Sequence, residues 1–117
     1  LKADKKYVFT GMLFVDSAAT PDLKFCWTGP AGIDFDIGMG AGKDTTATTE
    51  GYHYLQTSGT TDVINFSDTT TRIVFCSGTI FMGGTAGDFK LQWAQNTSNA
   101  TATTIRKGSY IRVERID

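Results

Sequence analysis

The sequence predicts an all-β protein: an antiparallel β-sandwich wound as a jelly roll from about eight strands. Three observations carry this. No window of eleven or more residues spaces its apolar side chains at i, i+3, i+4 and i+7, whereas several short runs alternate apolar and polar residues. Thirteen glycines, eight phenylalanines and abundant threonine, with no stretch rich in Glu, Leu or Ala, favour strands over helices. Turn signals interrupt the apolar runs roughly every 8 to 14 residues, the spacing of a sandwich.

Taken in order, Lys6 to Val15 is the first strand, with Tyr7, Phe9, Leu13 and Val15 on one face and Val8, Met12 and Phe14 on the other. Both faces are apolar, so the second needs cover beyond a single thin sandwich. Asp16 to Asp22 is a turn, closed to regular pairing by Pro21. Leu23 to Thr28 is a strand stopped by Gly29-Pro30-Ala31-Gly32. Ile33 to Met39 alternates, with Ile33, Phe35, Ile37 and Met39 inward and Asp34 and Asp36 outward. Gly38 to Thr49 reads as a polar loop without apolar anchors. Tyr52 to Thr57 and Asp62 to Ser67 are short strands joined by Ser58-Gly59-Thr60.

Arg72 to Met82 is the second long run that is apolar on both faces, and Gly78 within it marks a bulge or a close backbone approach. Phe89, Leu91 and Trp93 alternate with polar residues in the next strand. A polar loop from Asn96 to Thr104 then leads to the last strand, Ser109 to Ile116. Nothing divides the 117 residues into two domains. Leu1 is not an initiator, so the chain is expected to be the C-terminal part of a longer one.

Composition narrows function mainly by exclusion. A net charge of −1, with lysine and arginine dispersed, gives no electrostatic footprint for nucleic acid. No apolar run reaches the roughly 20 residues of a membrane helix, so no membrane insertion is expected. Gly-Met-Gly-Ala-Gly-Lys-Asp fails as a phosphate loop, because Ile37 stands at the first glycine position and Asp44 replaces the magnesium-binding hydroxyl. Asp34, Asp36 and Asp44 could offer oxygens to calcium but lack the order of a helix-loop-helix site, and solvated aspartates are the simpler account. His53 is the sole histidine, and Glu50 and Glu114 are the only glutamates. No catalytic constellation, metal site or cofactor site follows, and the expectation is a protein that is not an enzyme and has no cofactor.

Trp27, Tyr52, Tyr54 and Trp93 could form a sugar-stacking platform. Trp93 is in phase with Phe89 and Leu91 and is assigned to the core, which leaves Trp27 and Tyr54 as the candidate ligand contacts. Cys26 and Cys76 could form a bridge, but a lone pair is no disulfide framework, and free buried thiols fit better. The Asn-x-Ser/Thr triplets at Asn65, Asn96 and Asn99 are uninformative in so threonine-rich a chain.

YVFTGMLFVDSAATPDLKFCWTGPAG near the start, and RIVFCSGTIFMGGTAGDFKLQWAQNTSNATATTIRKGSYIRVERI at the end, resemble a family of bacteriophage virion proteins with a trimeric jelly roll, similar in outline to the C1q and tumour-necrosis-factor head domains. The stretch from Asp34 to Thr70 carries little of the likeness. The resemblance implies a homotrimeric structural module of the virion, made in the reducing cytoplasm of a bacterial host. Its place would be a head fibre, a capsid decoration or a tail adhesin tip, with other virion proteins or a host-surface glycan as partners. On this reading Phe9, Met12, Phe14, Phe75, Phe81 and Met82 supply core and subunit contact. The loops Gly38 to Thr49, Asn96 to Thr104 and Asp16 to Asp22 face a partner. Two alternatives belong to other classes: a monomeric carbohydrate-binding module of a larger enzyme, and a secreted C1q-like signalling domain.

Overall fold

Among the described residues the protein forms nine strands in two antiparallel sheets and no helix. The computed structural model describes residues 1–18, 21–41, 53–66 and 71–117. The strands are β1 (Lys6–Asp16), β2 (Leu23–Thr28), β3 (Asp34–Ala41), β4 (His53–Leu55), β5 (Thr61–Ile64), β6 (Arg72–Phe81), β7 (Lys90–Gln95), β8 (Thr104–Ile105) and β9 (Tyr110–Arg115).

The larger sheet runs β4-β3-β6-β1, with β8 and β9 both pairing along the far side of β1, and the smaller runs β5-β2-β7. The first strand thus pairs with the last, the second with the seventh and the third with the sixth, the nesting of a ribbon folded over on itself. The antiparallel sandwich expected from the alternating runs is therefore present, and Leu23–Thr28 is a strand at the expected bounds.

Alternation decides what each strand buries. Tyr7, Phe9, Leu13 and Val15 of β1 point inward, as do Phe35, Ile37 and Met39 of β3 and Val74, Cys76 and Ile80 of β6. Leu23, Phe25 and Trp27 of β2 meet them from the smaller sheet. At one end four rings close the core. Trp27 stacks on Phe89 at 5.0 Å, Phe9 lies 5.2 Å from Trp27, and Phe35 meets Phe89 edge-on at 5.7 Å. Such pairs add about 0.5–1.5 kcal/mol beyond the area they bury.

The expected close approach at Gly78 is real: a methyl group there would run into the backbone carbonyl of Asp36 on the neighbouring β3. The two-residue β8 lies where the sequence suggested only loop. It forms because β1 is eleven residues long and outruns β9, leaving Val15 and Asp16 to pair with Ile105 and Thr104. Between β8 and β9 the chain bulges. Arg106 donates to the Phe14 carbonyl, and the Ser109 hydroxyl accepts from the Phe14 amide.

Candidate functional site

The six candidate core and contact residues separate by face. Phe9 and Met82 are buried between the sheets. Met12, Phe14, Phe75 and Phe81 stand on the outer face of the larger sheet, because Met12 pairs with Phe75, Phe14 with Ile73 and Lys6 with Phe81. Tyr110 of β9 lies opposite Met12 on the same face. At one end the outer face therefore carries Met12, Phe14, Ile73, Phe75 and Tyr110 as neighbours on adjacent strands. Phe75 is 39% exposed, Ile73 37% and Tyr110 51%. At the other end of the face Lys6 reaches over the ring of Phe81 at 5.5 Å.

The two tryptophans exchange the roles expected of them. Trp27, a candidate ligand contact, is 1% exposed, locked between Phe9 and Phe89, and unable to offer its face to a sugar. The signal was in the sequence, since Leu23, Phe25 and Trp27 share one parity against Lys24, Cys26 and Thr28. Trp93, assigned to the core, is 41% exposed. It does share the inward parity, for it pairs with Phe25. It sits, however, on β7, the edge strand of a sheet only three strands wide. Its neighbours of opposite parity, Lys24, Cys26, Thr61 and Gln92, line a shallow depression on the other face of that sheet.

Tyr54, the other candidate contact, is 66% exposed, as expected. Its hydroxyl donates to Asp36 Oδ1 at 2.5 Å, and Gln56 Nε2 donates to the same oxygen at 2.8 Å. The tyrosine hydroxyl first, and the glutamine amide second, hold the Asp36 carboxyl below its ordinary value. The same bond, with smaller contributions from desolvation and the nearby aspartates, pushes the Tyr54 phenol up. Asp36 is thus already engaged by two donors. Asp44 lies outside the described residues, and among those described no three His, Cys, Asp or Glu side chains converge as a metal site.

His53 joins the two sheets: its Nδ1 lies 2.8 Å from Asp62 Oδ2 on β5, and its ring meets Phe25 edge-on at 6.0 Å. Both cysteines are free. Cys76 lies inside the core, where burial pushes its thiol up to about 11, and Cys26 is half-buried on the opposite sheet.

Compared with known protein families, curated proteins and solved structures, the chain matches none.

The candidate contact loops differ in character. Gly38 to Ala41 is the end of β3, and the rest of the Gly38 to Thr49 stretch lies outside the described residues, as does Tyr52. In the Asp16 to Asp22 turn, Ser17 and Pro21 are buried: Ser17 Oγ shares a 3.1 Å hydrogen bond with Thr103, and the Pro21 carbonyl accepts from Asn96 and Thr97. These residues of the turn are fastened within the fold, and Ala19 and Thr20 lie outside the described residues. The segment from Asn96 to Ala102 is exposed throughout and braced from within. Gln95 donates to the Thr101 carbonyl at 2.7 Å and accepts from the Asn99 amide, and Asn99 Oδ1 accepts from the Thr101 amide.

The last strand expected at Ser109 to Ile116 is β9, and what the sequence did not signal is its exposure. All six of its residues are exposed, including Ile111 and Val113, which pair with the buried Gly11 and Phe9 and so belong to the inner face. The smaller sheet does not extend far enough to cover them. Two features therefore stand out on the surface: an apolar outer face on the larger sheet, and an uncovered edge strand beside it.

Proposed function

We propose that this chain is a non-enzymatic structural module that assembles as a homotrimer through the outer face of its larger sheet, and that it serves on a bacteriophage particle as a decoration or attachment knob. The observation that carries the assembly is the cluster of Met12, Phe14, Ile73, Phe75 and Tyr110 on that face. Apolar rings held side by side on a rigid sheet gain by meeting a like surface, at about 25 cal/mol per Å² of apolar area removed from water. A closed ring of three copies would remove all three faces from solvent. The virion role rests on the likeness of the first and last thirds of the sequence to trimeric phage jelly rolls. In this role the braced Asn96 to Ala102 segment is the outward contact, to a host-surface glycan or another virion protein, because a polar loop fixed on a rigid scaffold is where such folds place binding.

Light scattering on a gel-filtration column tests the assembly. The expected mass is a multiple of three chains of 12.7 kDa, reduced at least threefold by Phe75→Asp with the β-sheet circular dichroism retained. A wild-type mass of one or two chains would overturn the trimer.

One observation favours a second reading. Trp93 is 41% exposed at the edge of the smaller sheet, and an aromatic ring open to solvent suits a carbohydrate-binding module. That reading expects a monomer whose Trp93 fluorescence shifts on titration with oligosaccharide and does not shift after Trp93→Ala.

A further inference from the structure

We infer that β9 pairs antiparallel with β9 of a second copy, across a two-fold axis at Val113. One side of β9 is bonded to β1, where the Ile116 amide donates to the Lys6 carbonyl at 3.0 Å. Backbone groups alternate along a strand, so Tyr110, Arg112 and Glu114 also turn theirs toward β1, and Ile111, Val113 and Arg115 turn theirs to the open edge. No other described strand pairs there. An antiparallel partner must set its own outward-turned residues against these three.

Centring the pair on Val113 does so. Val113 then exchanges both hydrogen bonds with Val113 of the second copy, and Ile111 does the same with Arg115, giving about six backbone bonds in all. In this register Arg112 stands opposite Glu114 of the second copy, and Glu114 opposite its Arg112, in the closer, non-hydrogen-bonded positions where side chains meet best. Tyr110 faces Ile116. These are two of the most exposed large apolar side chains of the protein, and both lie on the outer face. On the inner face Ile111 packs along the aliphatic stem of Arg115, and the two Val113 side chains meet.

The charge pattern selects this register. The smallest slide that keeps the outward-turned groups opposed is two residues. It sets Arg112 against Arg112 in one direction and Glu114 against Glu114 in the other. Charges on an edge strand ordinarily deter pairing. Here an arginine and a glutamate two positions apart make the edge complementary to its own inverted copy. Within one chain they lie 3.6 Å apart and mostly in water, free to take the cross-strand partner.

The pairing uses an edge, and the proposed trimer uses a face, so the two are separable. The test compares the masses of the wild type, Arg112→Glu, Glu114→Arg and an equimolar mixture of the two variants, with circular dichroism to verify folding. Each variant alone opposes like charges, so its mass falls to half that of the wild type or less. In the mixture a strand with acids at both positions meets a strand with arginines at both, every cross-strand pair is again of opposite charge, and the wild-type mass returns. Combining Arg112→Glu with Phe75→Asp separates the two interfaces. If both exist, the edge variant alone is a trimer and the double variant a monomer; if the outer face does not assemble, the wild type is a dimer and the edge variant a monomer. Equal masses for wild type and single variants, or a mixture no heavier than its parts, would overturn the edge pairing.

Discussion

At the residue scale, space and hydrogen bonding decide what can be changed. Gly78 has no room for a methyl group, because the Asp36 carbonyl of the paired strand occupies it. Gly78→Ala must push β3 and β6 apart, and a loss on the order of 1–3 kcal/mol is expected. Gly84 meets nothing within 4 Å. Gly84→Ala should be neutral, or stabilising by about 0.4–1 kcal/mol through the unfolded chain. Thermal melts of the pair, one falling by several degrees and one unmoved or rising, would establish that contact rather than residue type sets the cost. The Tyr54–Asp36 bond has a signature in pH. The Asp36 carboxyl is held below its ordinary 3.8, so the stability it contributes is present above that pH and is lost as pH falls through the folded value. The Tyr54 phenol is raised above 10.0, so its share is present below that pH and is lost as pH rises through the folded value. The difference in melting temperature between wild type and Tyr54→Phe should therefore be small and flat between these limits, and should narrow at both ends. The thiols divide by depth: Cys26 should react with a thiol reagent in the native protein, and Cys76, buried and raised to about 11, only on unfolding.

At the element scale, the strands were legible wherever a side chain's partner is set by parity. Phe35, Ile37 and Met39 against Asp34 and Asp36 gave β3 and its inward face from the sequence alone. What parity cannot give is the width of the opposing sheet. Trp93 and Phe25 share a face, yet Phe25 is in the middle strand of three and Trp93 at the edge, so one is buried and the other is wet. The same width leaves Ile111 and Val113 uncovered on β9, although their parity is that of Phe9. The site followed the same logic. The surplus apolar face of β1 and β6 could be read directly, because two long runs with no polar side announce it. The edge could not, because its exposure depends on where the smaller sheet stops. β8 escaped notice because two residues, Thr104 and Ile105, carry no pattern, and only the length of β1 recruits them. The brace around Asn96 to Ala102 is a similar tertiary device. Gln95→Ala should free this segment with little change in melting temperature, since the bonds it removes are exposed. Faster amide exchange confined to Asn99 and Thr101 is the measurement that would register it.

At the scale of the whole molecule, the two faces of the larger sheet should answer very differently to the same insult. Phe9→Asp places a charge against the rings of Trp27 and Phe89 in the core. Its cost of several kcal/mol is comparable to the whole stability of a domain of this size, about 5–15 kcal/mol. Phe75→Asp puts the same charge at a position already 39% exposed in the single chain, so the fold survives and only association is lost. Association of folded chains also stabilises them by mass action, by about 2.7 kcal/mol at a hundredfold excess over the dissociation constant. The wild-type melting temperature should therefore climb by several degrees between dilute and concentrated samples. In the Phe75→Asp/Arg112→Glu double variant, which has lost both the face and the edge, it should stay fixed. A wild type whose melting temperature ignores concentration over that range would mean that copies of this chain do not cover one another, and that the apolar face formed by Met12, Phe14, Ile73 and Phe75 meets a different surface.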